Sequence, residues 1–431
     1  MRLLKTLGLL FLILVAAAVV ALFVMGQVGK SKLASRGGGA IPAAVDLEYP
    51  ELTDSENAAL LYWAAWGKLE ATPEGTDNES IELITKAFNV NLARDRVGEE
   101  PYDALSESDL EFATLLLSEA EPAFELLRQV RTTKGCLFFQ DHSPEAVDKN
   151  LAEFMEIGAF MRNLARYVAA RARWESEQGN TDAALDWLTT GLHIANDLND
   201  ESVLIGELVR IAIGNIMLSS AQTIFYNRPL PEQIPQALLD ELDDLRDRNR
   251  FGDSLRREGV LSEARSLQWR VEWWNPLPAI LSGNYLEALG TFIEAVETDD
   301  YTDRTLKLAK LSDDVARTSI GIKKYFHIFE ATTIPALLRA EESLDTLIAK
   351  IDLLELSLSL RAYEQTHGAF PDTLAELTPE YLAAIPEDPL NGKDYIYEKA
   401  AERVTVRSGA TTPRREIAFH LAPAVQASNA P

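Results

Sequence analysis

Histidine and carboxylate side chains at helical spacing are the first place to look for metal chemistry in this chain. Five histidines are spread over 431 residues, and Glu364 precedes His367 by three positions. That spacing is one half of a di-iron carboxylate site, which requires a second Glu-x-x-His motif and further inward-facing glutamates. The sequence has no second motif. We therefore expect no metal, and a solvated polar face at Glu364 and His367.

Nucleophile and phosphate-binding motifs give no stronger signal. The serine elbow G-x-S-x-G is absent, since Gly252–Arg256 lacks the second glycine, and no dinucleotide or Walker pattern occurs. Cys136 is the single cysteine, which excludes an internal disulfide and a thiolate metal cluster. Its apolar neighbours indicate a buried core thiol rather than a reactive one. We predict no catalytic residue and no cofactor.

Two acidic clusters and a group of tryptophans complete the candidate residues. Residues 197–201 and 297–303 are rich in carboxylates, but neither has the central glycine and final glutamate of a calcium-binding loop. We interpret both as acidic loops between helices. Trp269, Trp273 and Trp274 fall on one helical face. This spacing is typical of a core, and the alternative is a groove for a protein or glycan, so these tryptophans are our candidate partner surface.

The charge distribution excludes nucleic-acid binding. The chain has a net charge of −26, yet residues 1–36 contain five basic residues and no acidic one. The remainder therefore has 36 basic against 67 acidic residues. Nucleic acids are bound by clustered Lys and Arg, and a body this acidic repels them.

The element that positions the whole chain is an apolar segment near its start. Residues 7–25 contain no charged side chain, and a helix of this length spans roughly 28 Å, close to the thickness of a bilayer core. We predict a transmembrane anchor over residues 1–28 that contacts the lipid bilayer through residues 7–25. A cleaved signal peptide is the alternative, because Ala16–Ala18 offers a cleavage site.

The orientation of this anchor is not fixed by flanking charge, because basic residues stand on both sides of it. A short N-terminus ahead of a long polar region favours export of the bulk of the chain. We therefore expect a single-pass protein of a bacterial inner membrane with a periplasmic body.

Helical signals dominate the region after the anchor. Residues 29–50 contain a triple glycine and two prolines, which predict a flexible linker. Residues 51–335 then predict a helical domain, with a capping box at Thr53 and apolar residues at helical spacing over 151–177 and 203–225.

Two segments of this domain, Gly179–Leu185 and Gly283–Leu289, resemble the turn and second helix of a tetratricopeptide repeat. No convincing copies lie between them. The sequence leaves two alternatives for this domain, a tetratricopeptide-like array and an irregular bundle.

The pattern changes near Ala336, and residues 336–431 predict a small α+β module with a disordered tail. Residues 344–366 predict a long apolar helix, although Leu354–Leu360 also alternates like a strand. Turn signals follow at Gly368 and at Asn391-Gly392. Short strands are predicted over residues 395–398, 404–407 and 416–421.

The order of motifs in this module carries a family resemblance. The apolar helix ends at Gly368 and Phe370-Pro371, and an Asp-Pro, Asn-Gly and Tyr-x-Tyr series follows over residues 388–397. This order resembles the globular half of the major pseudopilins of type II secretion. The resemblance covers residues 344–406 and implies that fold. The layout of the whole chain is similar to that of uncharacterised bacterial membrane proteins that end in this module.

The departures from that family limit what the resemblance implies. Pseudopilins carry the apolar helix at their N-terminus behind a cleaved glycine, whereas here the module stands at the opposite end. Family members often bind calcium in the loop after the Tyr-x-Tyr strand, but Glu402 and Glu416 are the only acids after residue 398. The resemblance therefore predicts neither a role in pilus assembly nor calcium binding for this chain.

These observations favour a mainly α protein that acts through contacts with unknown proteins. We expect a membrane-anchored extracytoplasmic scaffold or interaction protein of a bacterial envelope. One alternative is an accessory component of a type II secretion or pilus-like apparatus. The other is a hydrolase with a site assembled from scattered carboxylates.

Overall fold

The protein is mainly helical, with a small antiparallel sheet region near the C-terminus, as the sequence predicts. Residues 1–23, which include most of the predicted membrane helix, lie outside the described part of the chain. The computed structural model describes residues 24–41, 49–72, 76, 78–87, 107–139, 141, 146–199, 204–226, 234–268, 277–325, 327–400, 403–410 and 417–423.

Thirteen described helical segments are numbered here in chain order. They are α1 (residues 24–35), α2 (Ala58–Glu70), α3 (Asn78–Ala87), α4 (Glu107–Glu119), α5 (Glu121–Leu127), α6 (Val147–Glu177), α7 (Thr181–Asn196), α8 (Leu204–Phe225), α9 (Gln236–Arg246), α10 (Arg248–Gln268), α11 (Leu277–Val296), α12 (Tyr301–Thr318) and α13 (Ile328–His367).

The chain forms two compact units, each built from separate stretches of sequence. The first unit comprises residues 1–48, 142–147 and 248–341. The second unit comprises residues 49–141, 148–247 and 342–431. The predicted division at residues 335 and 336 falls inside α13, where Pro335 lies between the buried residues Ile334 and Leu337.

In the first unit, α1 packs against α11 through glycines. A Cβ atom at Gly29 would lie 2.7 Å from backbone atoms of Ala279, and a Cβ at Gly37 would lie 2.9 Å from the Cα of Gly290. Because Gly29 meets the start of α11 and Gly37 meets its later part, the two helical segments run in the same direction. Close backbone approach of this kind requires residues without a side chain.

This packing differs from the flexible linker predicted for residues 29–50. Residues 29–35 belong to α1, and Ile41 is buried against Gly259 of α10. The triple glycine indicated flexibility, but Gly37 is held in place by its contact with Gly290. Residues 42–48 of the predicted linker lie outside the described residues.

The α11 and α12 helices form an antiparallel pair joined by the short connection 297–300. Asp300 caps α12, because its carboxylate accepts a hydrogen bond from the backbone N–H of Asp303 at 2.7 Å. Glu297 pairs with Arg256 of α10 at 2.6 Å. The interpretation of this acidic cluster as a loop between helices is confirmed for residues 297–300, whereas residues 301–303 form the first turn of α12.

In the second unit, α8 packs against α7, and α9 packs against α7 as well. The helix predicted over residues 151–177 is confirmed as part of α6, and the helix predicted over residues 203–225 is confirmed as α8 from Leu204 onward. The capping box at Thr53 is also present, with Glu56 accepting from the backbone N–H of Thr53 at 3.1 Å.

Among the described residues, α8 is the one helix long and apolar enough to cross a membrane. Most of it is buried inside the protein, and Glu207 and Arg210 form an ion pair of 2.6 Å on it with neither side chain exposed. Arg210 also donates to the carbonyl of Leu245 at 2.9 Å, which ties α8 to α9. These contacts are those of a core helix.

The α13 helix settles the ambiguity over Leu354–Leu360, which is helical, so the strand alternative is wrong. Leu353, Leu354 and Leu356 are all buried, because this part of the helix is covered on more than one side. When apolar residues occupy several faces of a helix, apolar and polar residues can alternate by chance as they do in a strand. The helix ends at Gly368, which has a φ of 74°.

Five short strands follow in the described part of the chain and confirm the predicted α+β character. They are β1 (Glu387–Asp388), β2 (Lys393–Asp394), β3 (Ile396–Lys399), β4 (Val404–Arg407) and β5 (Ala418–Leu421). The first two form a hairpin, and the others form an antiparallel sheet in the order β3-β4-β5. The sheet is bonded to the end of α8, since Ala422 donates to the carbonyl of Tyr226 at 2.8 Å.

The two repeat-like segments occupy different places. Gly179 has a φ of 81° and lies in the turn between α6 and α7, as expected. Gly283 lies inside α11, so the prediction of a turn there is wrong. This glycine allows close packing, because a Cβ atom at Gly283 would lie 2.4 Å from the carbonyl oxygen of Gly29 in α1.

Candidate functional site

A groove of about 350 Å³ in the first unit is the candidate functional site. It lies between α11, α12 and the start of α13, and it combines charged walls with an apolar floor. Its lining comprises Asn284, Glu287, Ala288, Thr291, Lys307, Lys310, Leu311, Asp314, Val315, Thr318, His327 and Glu330.

The α12 wall of the groove carries two lysines. Lys307 donates to the hydroxyl of Thr298 at 3.0 Å and pairs with Asp303 at 2.7 Å. Lys310 lies one turn further along and is exposed. Leu311 is buried beneath them. Asp314 also lines this wall, so the wall presents charges of both signs above an apolar floor.

The opposite wall contains a buried carboxylate, Glu330, which is 3% exposed. Its Oε1 atom lies 2.7 Å from Nδ1 of His327. Its Oε2 atom is buried and has no partner outside its own residue among the described residues. Burial raises the pKa of Glu330 above its ordinary value, although the bond to His327 and the charge of Lys32 act in the opposite direction.

The helix that follows the predicted anchor reaches the edge of this groove. Lys32 of α1 donates to Oδ1 of Asn284 at 3.0 Å and pairs with Glu287 at 2.6 Å. Both partners also line the groove. The helix that carries Lys32 and the groove wall on α11 are thus bonded to each other.

This arrangement is suited to binding a group that carries both charges. Lys310 offers a cation to an acidic partner, and the unmatched oxygen of Glu330 offers an acceptor to an ammonium, guanidinium or hydroxyl group. An unpaired buried oxygen costs free energy that a bound donor would recover.

A second polar cluster is buried in the second unit and joins α2, α7 and α9. The Tyr62 hydroxyl donates to Asp197 at 2.6 Å, and Nδ1 of His193 lies 2.7 Å from Oε1 of Glu241. Burial raises the pKa of Tyr62 well above its ordinary value. Burial lowers the pKa of His193, but Glu241 and Asp197 outweigh it and the pKa is raised. Asp197 lies in the predicted connection between α7 and α8, and its side chain belongs to this core network. Residues 200 and 201 of that acidic cluster lie outside the described residues.

The third cluster lies beneath the C-terminal sheet. The Tyr395 hydroxyl donates to Asp352 of α13 at 2.9 Å, while Arg246 pairs with Glu355 at 2.6 Å and lies 3.6 Å from Asp352. Burial raises the pKa of Asp352 to about 7, although Arg246 acts in the opposite direction. This cluster fastens the sheet to the helix.

The Asp-Pro motif of the module has a similar structural role. Asp388 is fully buried, and its carboxylate accepts hydrogen bonds from Ser408 at 2.6 Å and from the backbone N–H of Gly409 at 3.2 Å. It also accepts from the backbone N–H of Leu390 at 3.1 Å. One carboxylate thus holds both the β1–β2 turn and the end of β4.

Among the residues that the structure describes, those singled out from the sequence are not brought together. Trp269, Trp273 and Trp274 lie outside the described residues. Glu364 pairs with Arg361, and the His367 ring stacks on Tyr363 with centroids 4.1 Å apart. Within the described ranges, no group of three or more His, Cys, Asp or Glu side chains is arranged to hold a metal ion.

Cys136 is fully buried, which confirms the expected core thiol. The groove residues were missed because Lys32, Asn284, Lys310 and Glu330 come from four helices, and no local spacing connects them. The His193–Asp197 pair has a detectable signal, the four-residue spacing of one helical turn.

Comparisons with known proteins add no assignment: no protein family, curated protein or solved structure matches the chain.

Proposed function

We propose that this chain is a membrane-anchored, extracytoplasmic helical protein of a bacterial envelope that acts by binding other proteins. The single observation that carries the proposal is the continuity between the apolar segment and the folded body. Residues 7–25 are uncharged, and α1 begins the described chain within that run and continues to residue 35. No catalytic role is part of the proposal.

The packing of α1 supports an anchor over a signal peptide that is removed. Val24 and Met25 belong both to the apolar run and to α1, whose later residues contact α11. The first unit, attached in this way, follows the anchor instead of swinging on a tether. Such an attachment holds the groove at a fixed height above the bilayer.

The groove supports the binding role. It has charges of both signs, a buried carboxylate with an unmatched oxygen, and walls formed by packed helices. Sites on rigid elements recognise partners with little ordering cost. We propose that a protein segment with neighbouring acidic and basic groups occupies it. The proposed location is the periplasmic side of the inner membrane, with the anchor as the single transmembrane span.

The form of the helical body is part of the proposal. The α6–α7 hairpin, with Gly179 in its turn, is the feature that favours a tetratricopeptide-like unit. The interior position of Gly283 favours an irregular bundle over a regular array. We propose the irregular bundle.

A second candidate is an accessory role in a type II secretion or pilus-like apparatus. The observation that favours it is the order of elements in the C-terminal module: a long helix, a glycine stop and a small antiparallel sheet. That order agrees with the pseudopilin-like resemblance of residues 344–406. The bonding of this sheet to α8 makes the module part of the body, so a fibre contact would involve the second unit as a whole.

The binding role is tested by photo-crosslinking of the full chain in intact cells. A photoreactive residue at Lys310, inside the groove, is compared with one at Arg317, which is on the same helix and does not line the groove. We expect position 310 to give a defined crosslinked protein that is absent at position 317. The same weak background at both positions would refute a role for the groove. Crosslinks to secretion proteins would favour the second candidate.

Anchoring and orientation need separate measurements. The chain should stay with membranes through an alkaline carbonate wash, and a periplasm-only reporter fused after Pro431 should be active. Release of the chain by the wash refutes the anchor, and an inactive reporter on a retained chain refutes the exported orientation.

A further inference from the structure

The connection between α12 and α13, residues 319–328, exposes an unusual set of side chains. Ile320 is 73% exposed, Tyr325 is 62% exposed and Ile328 is 50% exposed. Single exposed apolar residues are common, but three within nine residues of chain are a concentration of the kind found at interaction surfaces. Water is a poor environment for all three.

The same connection is basic in an acidic protein. The sequence has no Asp or Glu between Asp314 and Glu330, although the chain has 67 acidic residues in total. Lys323 and Lys324 are exposed within this interval. The Lys324 ammonium lies 5.0 Å from the centre of the Tyr325 ring. Aromatic and apolar side chains mixed with lysines are typical of a surface that meets lipid headgroups.

The position of the connection within the first unit follows from helix directions. The α12 helix is antiparallel to α11, so its end at Thr318 lies beside the beginning of α11. The α1 segment runs parallel to α11, so its beginning at Val24 lies at that same end. His327 and Glu330 line the groove together with Asn284, which is bonded to Lys32, so the end of the connection lies near α1 about two helical turns after Val24.

The exposed residues of α1 belong to the same end. Val24 is 54% exposed and Val28 is 50% exposed, and both follow directly on the apolar run that is proposed as the anchor. The chain before Val24 is therefore proposed to enter the bilayer beside this patch. The proposed anchor places the bilayer surface next to the α12–α13 connection, and this surface is both apolar and anionic.

We propose that the α12–α13 connection is a second membrane contact, seated on the anionic surface of the bilayer that holds the anchor. Ile320, Tyr325 and Ile328 enter the interfacial layer, and Lys323 and Lys324 bind lipid phosphates. This inference rests on the proposed membrane anchoring. Because the anchor keeps the connection at a high effective concentration near the lipid, weak contacts between the connection and the bilayer are enough for binding.

A second membrane contact would restrict the orientation of the first unit relative to the bilayer. One transmembrane helix can still rotate and tilt in the bilayer and carry the first unit with it, whereas two contacts fix which face of the first unit points away from the lipid. The mouth of the groove is then held in one orientation. The device would present the recognition site to partners in a constant direction.

Lipid-quenching spectroscopy on the full chain tests the proposal. Cys136 is fully buried, so a single introduced cysteine is labelled selectively. Ile320→Cys and Tyr325→Cys are made separately, each carrying a polarity-sensitive dye, so that neither result depends on one variant. Leu306→Cys is the matched control, because Leu306 is 64% exposed on α12 but lies about 18 Å of helix before Thr318. The chain is reconstituted in vesicles of phosphatidylcholine and phosphatidylglycerol that contain headgroup-nitroxide lipid.

We expect blue-shifted emission and nitroxide quenching at positions 320 and 325, and neither at position 306. Omitting phosphatidylglycerol, or combining Lys323→Glu with Lys324→Glu, should reduce the quenching at position 325. A chain that resists the carbonate wash but shows no quenching at positions 320 and 325 overturns the second contact and leaves the anchor intact. Equal quenching at position 306 also overturns it. A chain removed by the wash overturns both.

Discussion

Gly37 and Gly290 lie in direct backbone contact, which places the segment after the predicted anchor against the middle of α11. A Cβ atom at Gly37 would lie 2.6 Å from the carbonyl oxygen of Leu286 and 2.9 Å from the Cα of Gly290. Gly37 also has a φ of 64°, a conformation that side chains disfavour. Two independent requirements for glycine meet at this contact, so it is sensitive to substitution.

The first prediction concerns this contact. Gly290→Ala places a methyl group against the Gly37 backbone, and overpacking of this kind costs about 1–3 kcal/mol. We expect a lower free energy of unfolding for the first unit and faster proteolysis after Arg36, because the segment is released from α11. Urea denaturation and limited trypsin digestion measure the two effects.

The matched control for this substitution is Gly67→Ala in α2. Its added Cβ meets nothing within 4 Å, so the better helix propensity of alanine should raise stability by about 0.5–1 kcal/mol. Equal effects of the two substitutions would contradict the close packing of α1 on α11.

The second prediction concerns the bond between the C-terminal module and α8. Arg361 is fully buried and donates to the carbonyls of Phe225 at 3.2 Å and Tyr226 at 2.8 Å, at the end of that helix. Arg361→Met leaves these carbonyls and Glu364 without their cation. We expect a loss of about 3–5 kcal/mol, measured by urea denaturation.

Arg407→Met is the control for Arg361→Met. The partner of Arg407, Glu398, is largely exposed, so the loss should stay below about 1 kcal/mol. A similar small loss for Arg361→Met would show that the module is not held by this helix end.

Regular elements were predictable because their signals are local. The apolar spacing of α8 and the turns and β-branched residues of the C-terminal strands lie within a few residues of one another. The buried role of Cys136 followed from its immediate neighbours. These features depend on the sequence within one or two turns.

Features that depend on distant parts of the chain were not predictable. The triple glycine at residues 37–39 has the composition of a linker, and its packing role exists only because Gly290 approaches it. The groove is assembled from helices that are far apart in sequence, so no local sequence motif predicts it. The Tyr395–Asp352 bond links a recognised motif residue to an unremarkable helix position 43 residues earlier.

The third prediction is a pH dependence of stability. Burial raises the pKa of Asp352 to about 7, whereas the unfolded chain releases this proton near pH 4. The folded state therefore binds a proton that the unfolded state has lost between those values. Stability should fall as pH rises through this window, by at most about 4 kcal/mol, and level off above it.

Asp352→Asn tests this dependence because it keeps an acceptor for Tyr395 and removes the titration. The difference in unfolding free energy between about pH 5 and about pH 8 should shrink in the variant. The raised pKa of His193 contributes a fall in the same direction, but both proteins share it. An unchanged pH dependence in the variant would assign the effect to other groups.

The last prediction uses one substitution at two buried glutamates. Both oxygens of Glu207 accept from Arg210, at 2.6 and 2.8 Å, and neither side chain is exposed. Glu207→Gln leaves a buried guanidinium without its counter-charge and should cost about 3–5 kcal/mol. Glu330 has a neighbour at one oxygen only, so Glu330→Gln removes a poorly matched buried charge and should change stability by less than about 1 kcal/mol. If urea denaturation gave a large loss for Glu330→Gln, the groove carboxylate would be part of the packing, and its unmatched oxygen would not be reserved for a ligand.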